Sequence, residues 1–250
     1  MKESFSLGLT SVTFRQKSIR EVAELAARAG LSLVEWGADI HVQPGDRDAA
    51  KEAVRQMSEN GLSCPSYGTY YRIGDRDTDA FLRLCESAEI LGAKTLRLWL
   101  GRKASADCTE EDFSALVEET ETLADLADKH GLTVAFEYHG KTFSDEAASH
   151  LRFFSAVTHA NVRSYWQPLA FGDSEENLRA SLPHLSTVHV FHWDTENNRF
   201  PLADGAEQWR GYLDILRGAD VYPPLIMEFV RDDKERQFLT DAKTLHEMIK

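Results

Sequence analysis

Cysteine is scarce in this chain and irregularly spaced. The three cysteines are Cys64, Cys85 and Cys108. An odd number without a CxxC pair provides neither a disulfide framework nor a cysteine metal site. We therefore expect three reduced thiols and a cytoplasmic protein, because disulfides are rare in that compartment.

Basic residues are also in deficit. The chain has 28 Lys and Arg against 41 Asp and Glu, a formal net charge of −13. Proteins that grip nucleic acid usually carry a basic stripe or patch. Nucleic acid is therefore not an expected partner, although a locally basic pocket is compatible with this balance.

Long apolar runs are missing as well. No stretch approaches the roughly 18 consecutive apolar residues of a membrane helix. The first residues, MKESFSLGLTS, lack the apolar centre of a signal peptide. We expect no membrane partner. The chain is nevertheless 42% hydrophobic, enough for a sizeable core.

What the sequence does contain is a recurring unit of amphipathic helix, glycine and short apolar run. Examples are AELAARAG–LSLVEW and LADLADKHG–LTVAFEY. Gly30, Gly61, Gly92 and Gly131 stand where a helix end needs a left-handed residue. Runs that are almost continuously apolar are typical of parallel strands buried on both faces.

Continued along the chain, this pattern predicts eight strands alternating with eight helices. The strands are expected at 5–10, 32–37, 63–67, 95–100, 133–138, 162–167, 187–193 and 224–229. The helices are expected at 18–29, 47–60, 77–91, 110–130, 145–158, 173–182, 205–217 and 233–249. Cap residues are expected before three of them, at Asp77 or Thr78, Thr109 and Ser144.

Eight strand–helix units without a linker predict one closed (β/α)8 TIM barrel, an α/β fold that forms a single domain over residues 1–250. The alternative is a doubly wound open sheet. That fold would want a glycine-rich phosphate loop after the first strand, and LGLTSVTF does not offer one.

Three predicted strands end in residue types that ligate metals, at Glu137, His192 and Glu228. Buried carboxylates and imidazoles are costly without a partner, and the carboxyl ends of barrel strands meet at the active-site rim. The sequence therefore predicts one shared site. This oxygen and nitrogen set suits Mn²⁺, Co²⁺, Mg²⁺ or Zn²⁺.

Two carboxylates near one metal ion also suit proton transfer between neighbouring carbons. The ion polarises a carbonyl and its adjacent hydroxyl, which stabilises an enediolate. Glu137 and Glu228 are thus the predicted catalytic pair. The alternative for both is a salt bridge with Arg97 or Lys94.

Polar and aromatic side chains gather at the predicted strand ends and indicate a pocket for a polar ligand. The candidate substrate-binding residues are Glu35, His41, Tyr70, Arg97, Trp99, His139 and Trp166. Glu35 either binds a substrate hydroxyl or pairs with Arg97. Trp99 and Trp166 either stack on a sugar or pack in the core.

The remaining histidines and two arginines bear on where the substrate binds and whether it carries a phosphate. His41 either closes over the site or caps a loop, and His139 either contacts substrate or donates a supporting hydrogen bond. Arg72 and Arg102 lack a glycine-rich phosphate cradle, which favours an unphosphorylated sugar or sugar acid. Five histidines on predicted helices or helix ends are expected to be structural: His130, His150, His159, His184 and His246.

These strand ends resemble the sugar phosphate isomerase/epimerase group of xylose-isomerase-like barrels. The stretches that carry the resemblance are LVEWGADIHVQPGD, SYGTYYRIGD, LRLWLGRKASAD, FEYHGKTFSD, VHVFHWDTENNRFPL and LIMEFV. The resemblance extends over about residues 5 to 232. Its motifs identify the superfamily but do not point to any one substrate.

The resemblance implies a single divalent metal ion held by four residues: Glu137, Gln167, His192 and Glu228. His192 is preferred over His189 because the FHWDTENNR context matches the family. The two glutamates would be the acid/base pair, and Arg199 would contact substrate hydroxyls. Gln167 replaces the usual Asp, and the loss of one negative charge should weaken metal binding.

The predicted function is isomerisation or epimerisation of a small-molecule carbohydrate through an enediolate. Dehydration of a keto-polyol begins with the same proton abstraction and is the first alternative. A non-catalytic member with a degenerate metal site is the second. Phosphodiester hydrolysis would require more ligands and a basic surface. A homodimer is expected because related barrels often dimerise.

Overall fold

A computed structural model describes residues 4–250 and contains a closed barrel of eight parallel strands. The strands are β1 Leu7–Thr10, β2 Leu33–Gly37, β3 Ser66–Arg72, β4 Thr95–Trp99, β5 Thr133–Glu137, β6 Val162–Trp166, β7 Leu185–Val190 and β8 Leu225–Met227. The helices are α1 Ile19–Arg28, α2 Arg47–Glu59, α3 Thr78–Leu91, α4 Glu110–Lys129, α5 Ala147–Ala156, α6 Ser174–Ser181, α7 Ala206–Gly218 and α8 Glu235–Met248.

The strands pair in chain order, and β1 closes the ring against β8. The predicted (β/α)8 barrel is therefore confirmed, and the open-sheet alternative is wrong. The main difference lies in β3, which was expected at 63–67 and runs instead from Ser66 to Arg72. Its pairing with β4, from Ser66↔Thr95 to Arg72↔Trp99, draws the SYGTYYR segment into the barrel.

Helix ends follow the glycine signal. Gly30, Gly61, Gly92 and Gly131 all have positive φ angles, between 65° and 73°. This left-handed conformation is easily adopted only by glycine, and it turns each chain from its helix into the next strand.

Helix starts follow the prediction in two cases of three. Asp77 and Thr109 accept hydrogen bonds from the first turns of α3 and α4. The prediction for Ser144 was wrong, because α5 begins after Glu146. The Ser144 hydroxyl instead donates to the carbonyl oxygen of Glu137, 2.8 Å away, and so holds the end of β5.

Successive side chains of a strand point to opposite faces. In β2, Glu35 points into the barrel while Trp36 is fully buried and contacts Met57 of α2 on the outside. In β6, Tyr165 points inwards and reaches Glu35, while Trp166 packs against α7. This alternation decides which strand residues belong to the site.

Thiol and membrane predictions are tested only in part. Cys64 and Cys85 are buried, Cys108 is partly exposed, and all three are free thiols in the described part of the chain. Over residues 4–250, no helix is both long enough and apolar enough to cross a membrane.

Candidate active site

Three side chains from β5, β7 and the end of β8 meet inside the barrel and form what we term the central cluster: Glu137, His189 and Glu228. The Nδ1 atom of His189 lies 3.0 Å from Oε1 of Glu137 and 3.3 Å from Oε2 of Glu228. All three residues are buried, and one ligand atom from each lies within 4.8 Å of the other two. The cluster can hold a metal ion.

Glu35 fixes the other side of the histidine ring. Its Oε1 lies 3.3 Å from Nε2 of His189. Its Oε2 accepts hydrogen bonds from Ser66, at 2.5 Å, and from Tyr165, at 2.9 Å. A carboxylate on the outer nitrogen of a metal-binding histidine orients the ring and raises its basicity.

Arg97 joins Glu35 to the central cluster. Its Nη1 lies 2.5 Å from Oε2 of Glu137, and its Nε lies 3.4 Å from Oε1 of Glu35. Gly68 leaves the room for this pair. A Cβ there would lie 2.9 Å from the guanidinium and 3.0 Å from the carboxylate of Glu35.

The network shifts the pKa values of the two carboxylates of the central cluster in opposite directions. Burial opposes ionisation of Glu137, but the Arg97 charge overrides it and holds the pKa of Glu137 well below its usual range. Burial raises the pKa of Glu228 and, together with the neighbouring Glu137 charge, outweighs the lowering by His189. Glu137 is thus held as a carboxylate, while Glu228 accepts a proton more readily.

The same balance places positive charge on the histidine. Burial alone lowers the pKa of His189, but Glu228, Glu137 and Glu35 raise it to about 10. Glu35 remains ionised, because Arg97 and His189 outweigh burial and lower its pKa to about 2. The interior therefore favours a positive charge between Glu137 and Glu228.

These observations fit a divalent cation. Two carboxylate oxygens and an imidazole nitrogen suit Mn²⁺, Co²⁺, Mg²⁺ or Zn²⁺, without discriminating among them. The point where the cation would lie is already where the network stabilises the His189 proton. Metal binding would replace that proton, since only a neutral imidazole nitrogen ligates.

The structure corrects the choice of histidine. His189, not His192, lies between the two glutamates. His189 points into the barrel, whereas His192 comes three residues later, beyond the end of β7, with the opposite strand parity. The His192 ring packs against Gly205, where a Cβ would lie 2.4 Å from its Nδ1, and near Phe200.

Gln167 follows β6 and is buried, with 7% of its surface exposed. Its amide nitrogen donates to the carbonyl oxygen of Tyr138 at 2.7 Å. This bond fixes the side chain close to the end of β5. Ligation of a metal ion by the Gln167 oxygen stays a prediction.

Four predicted substrate-binding residues make their contacts within the protein, and their contact with substrate stays a prediction. Glu35 and Arg97 are buried in the network, so the salt-bridge alternative is present beside the metal-type cluster. Trp166 points outwards and packs 4.9 Å from Tyr212, ring to ring. His41 is buried, with its Nε2 3.0 Å from the carbonyl oxygen of Lys17.

The remaining candidates on β3, β4 and β5 surround the mouth of the barrel. The Trp99 ring lies 5.3 Å from Tyr70 and 4.8 Å from His139, between ring centroids, and the Arg72 guanidinium lies 3.9 Å above it. The indole nitrogen of Trp99 donates to Glu137. These half-buried side chains connect the solvent to the central cluster, and their contact with substrate stays a prediction.

Arg199 lies in the loop after β7. Its guanidinium pairs with Asp233 at 2.5 Å and lies 4.3 Å from the Phe229 ring. It is held at the rim, and its contact with substrate also stays a prediction. Sequence reasoning missed Ser66 and Tyr165, the hydroxyl partners of Glu35. The inward strand parity of Tyr165 is the signal that could have found it.

The chain belongs to the xylose isomerase-like TIM barrel family, whose model matches residues 23–248. This confirms the resemblance of the strand ends. A protein named 3-dehydroshikimate dehydratase from Bacillus anthracis is 23% identical over 247 residues, covering 90% of this chain and 86% of that protein.

Solved structures share the fold at low sequence identity. A probable 3-DHS dehydratase from Bacillus anthracis, described as involved in petrobactin synthesis, superposes with a TM-score of 0.84 at 16% identity and covers 97% of this chain and 99% of its own. A 3-keto-D-glucoside 4-epimerase from E. coli gives a TM-score of 0.77 at 15% identity, with 98% of both chains covered. These likenesses show a common barrel used for more than one reaction.

Proposed function

We propose that this protein is a divalent-metal-dependent enzyme that removes a proton from the carbon next to a carbonyl in a small, hydroxylated, carbohydrate-like substrate. One observation carries the proposal: Glu137, His189 and Glu228 converge inside the barrel, with ligand atoms within 4.8 Å of one another. Convergence of buried ionisable groups at the end of barrel strands is typical of catalytic sites.

The residues of the site have different roles in this reaction. A cation bound in the central cluster would polarise the substrate carbonyl and so acidify the neighbouring C–H bond. Glu228 is the base, because Arg97 and Trp99 hold Glu137, whereas Glu228 contacts the His189 nitrogen whose proton a bound cation would replace. Glu35 holds the ring of His189 in place.

Two reaction outcomes follow from this first step. Isomerisation or epimerisation returns a proton to carbon, and epimerisation requires delivery to the opposite face of that carbon. Dehydration needs one base that then protonates the departing hydroxide. The different contacts of the two glutamates favour dehydration of a keto-polyol, since Arg97 and Trp99 hold Glu137 while Glu228 can take the proton and return it to the leaving group. The named dehydratase relative supports the same outcome.

The test is incubation of the Mn²⁺-loaded protein with ketoses and cyclic keto-polyols in D₂O, followed by NMR. We expect deuterium incorporation next to the carbonyl or loss of water. Glu228→Gln should lower the rate of either reaction by at least about 10²-fold. Glu247→Gln, on the exposed face of α8, is the matched control. Normal turnover in Glu228→Gln would contradict the proposal.

Other expectations accompany this proposal. A small-molecule carbohydrate is the partner that the mouth of the barrel suits, through Tyr70, Trp99 and His139. A single domain over residues 1–250, a cytoplasmic location and a homodimer stay predictions, and gel filtration tests the last of these.

A further inference from the structure

A cavity of about 540 Å³ opens beside the mouth of the barrel, at the ends of β5, β6 and β7. We term it the side pocket. Its lining includes His139, Gly140, Gln167, Phe171, Phe191 and Trp193. The volume is within the range of small-molecule sites, and most of the wall is apolar.

One wall of the side pocket is formed by a stacked aromatic pair. The Trp193 ring stacks on Phe191, with centroids 4.3 Å apart and planes inclined by 30°. The Arg199 guanidinium lies 5.5 Å from the same ring. Trp193 also pairs with Arg199 through the backbone across a tight turn whose amides Asp194 caps. These contacts hold the indole at the wall of the side pocket.

The opposite wall exposes an aromatic ring. Phe171 follows β6, lines the side pocket and is 51% exposed. It rests on Gly140, where a Cβ would lie 3.3 Å from the ring. Hydrogen bonds between Ser174 and Leu169 close its loop. Apolar surface that faces a concave site is a common mark of ligand binding.

His139 connects the side pocket to the reaction site. It lines the pocket and lies 4.8 Å from Trp99, ring to ring. Trp99 in turn donates to Glu137 of the central cluster. A ligand whose reacting part lies over the central cluster can thus extend past His139 into the side pocket.

We propose that the side pocket is a specificity subsite for a flat apolar group, and that the substrate is a hydroxylated ring carrying an aryl substituent. The proposal rests on the proposed function, which supplies the reacting part of the ligand. Phe171 provides an exposed aromatic ring, and Trp193 lines the same cavity, so an aryl group there can gain stacking energy beyond simple burial.

The test measures binding and does not depend on turnover. Phenyl β-D-glucoside, methyl β-D-glucoside and cellobiose are titrated by calorimetry into the wild type and into Glu228→Gln. We expect phenyl glucoside to bind at least about tenfold more tightly than the other two in both proteins, because about 1.5 kcal/mol of aromatic stacking corresponds to that factor.

Variants localise the effect. Phe171→Ala, at a half-exposed position, should reduce the preference for the phenyl compound about fivefold or more. Leu151→Ala, at a similarly exposed apolar position on α5 outside the pocket, should leave it unchanged. Equal affinity for the phenyl and methyl compounds would overturn the subsite, and so would equal affinity for cellobiose. Equal affinities together with deuterium exchange in D₂O would contradict the subsite alone and leave the proposed function standing.

Discussion

Two fully buried histidines, His189 and His150, have opposite protonation behaviour. His189 lies among Glu35, Glu137 and Glu228, and its pKa is raised to about 10. His150 lies on α5, and both its ring nitrogens lack a hydrogen-bond partner among residues 4–250. Burial and, to a smaller extent, the nearby His184 lower its pKa to about 3.

The contrast arises from strand parity. Glu137 points into the barrel and pairs with His189, whereas the next residue, Tyr138, points outwards and stacks on His150 with centroids 4.5 Å apart. Burial is the same for both histidines, so their neighbours decide the charge. The interior of the barrel stabilises a protonated histidine, whereas the layer under α5 destabilises one.

The largest expected effect comes from removing the guanidinium from the interior. Arg97→Met leaves Glu35 and Glu137 buried without the guanidinium that pairs with both, which should lower the free energy of unfolding by about 3–5 kcal/mol. Urea denaturation measures the change. Arg102→Met, which breaks the exposed pair with Asp75, should cost at most about 1 kcal/mol. Equal costs in the two variants would contradict a charged interior network.

The next effect tests the neutral histidine. The folded-state pKa of His150 is about 3, below the ordinary 6.5, so its contribution to stability is fully present above pH 6.5 and is lost as the pH falls towards 3. His150→Leu should remove this acid sensitivity, which is on the order of 4 kcal/mol between those limits.

Urea denaturation at several pH values compares wild type with His150→Leu. The control is His130→Leu, a partly exposed position beside Glu89. If the difference in stability between wild type and His150→Leu were constant from pH 7 to pH 4, His150 would not be held neutral.

A smaller effect tests the space around Arg97. Gly68→Ala places a Cβ 2.9 Å from the guanidinium, so the pair with Glu35 must move. Overpacking of this kind should cost about 1–3 kcal/mol. Gly218→Ala, at the end of α7 with no heavy atom within 4 Å of the added Cβ, should be neutral or stabilising. Thermal melts of both variants measure the effect. An unchanged melting temperature for Gly68→Ala would show that the pair between Arg97 and Glu35 tolerates displacement.

The smallest effect concerns Gln167. Replacement by Asp restores a negative charge at the end of β6 and should tighten Mn²⁺ binding, by about tenfold if the side chain ligates the ion. Calorimetric titration of wild type and Gln167→Asp measures the ratio. Asn197→Asp, in the same rim, controls for a general gain of negative charge. If Gln167→Asp and Asn197→Asp changed the affinity for Mn²⁺ by the same factor, Gln167 would not be a metal ligand.

Local signals were enough to predict the fold. Glycine at helix ends such as Gly92 and Gly131, followed by short apolar runs, marked the units because each signal acts within a few residues. The bounds of β3 were missed, since its register depends on pairing with β4 rather than on its own composition.

The site was predicted only in part for the same reason. Glu137 and Glu228 could be placed from their strands, but the choice between His189 and His192 required knowing where β7 ends and which parity faces inwards. The hydroxyl of Tyr165 reaches Glu35 across 130 positions of sequence. No local pattern encodes such a contact, because only closure of the barrel creates it.

Metal content of wild type, His189→Ala and His192→Ala, after incubation with Mn²⁺ and desalting, tests the central claim most directly. We predict about one equivalent in wild type, loss of the metal in His189→Ala and retention in His192→Ala, because only His189 lies between Glu137 and Glu228. Retention in His189→Ala together with loss in His192→Ala would contradict the account.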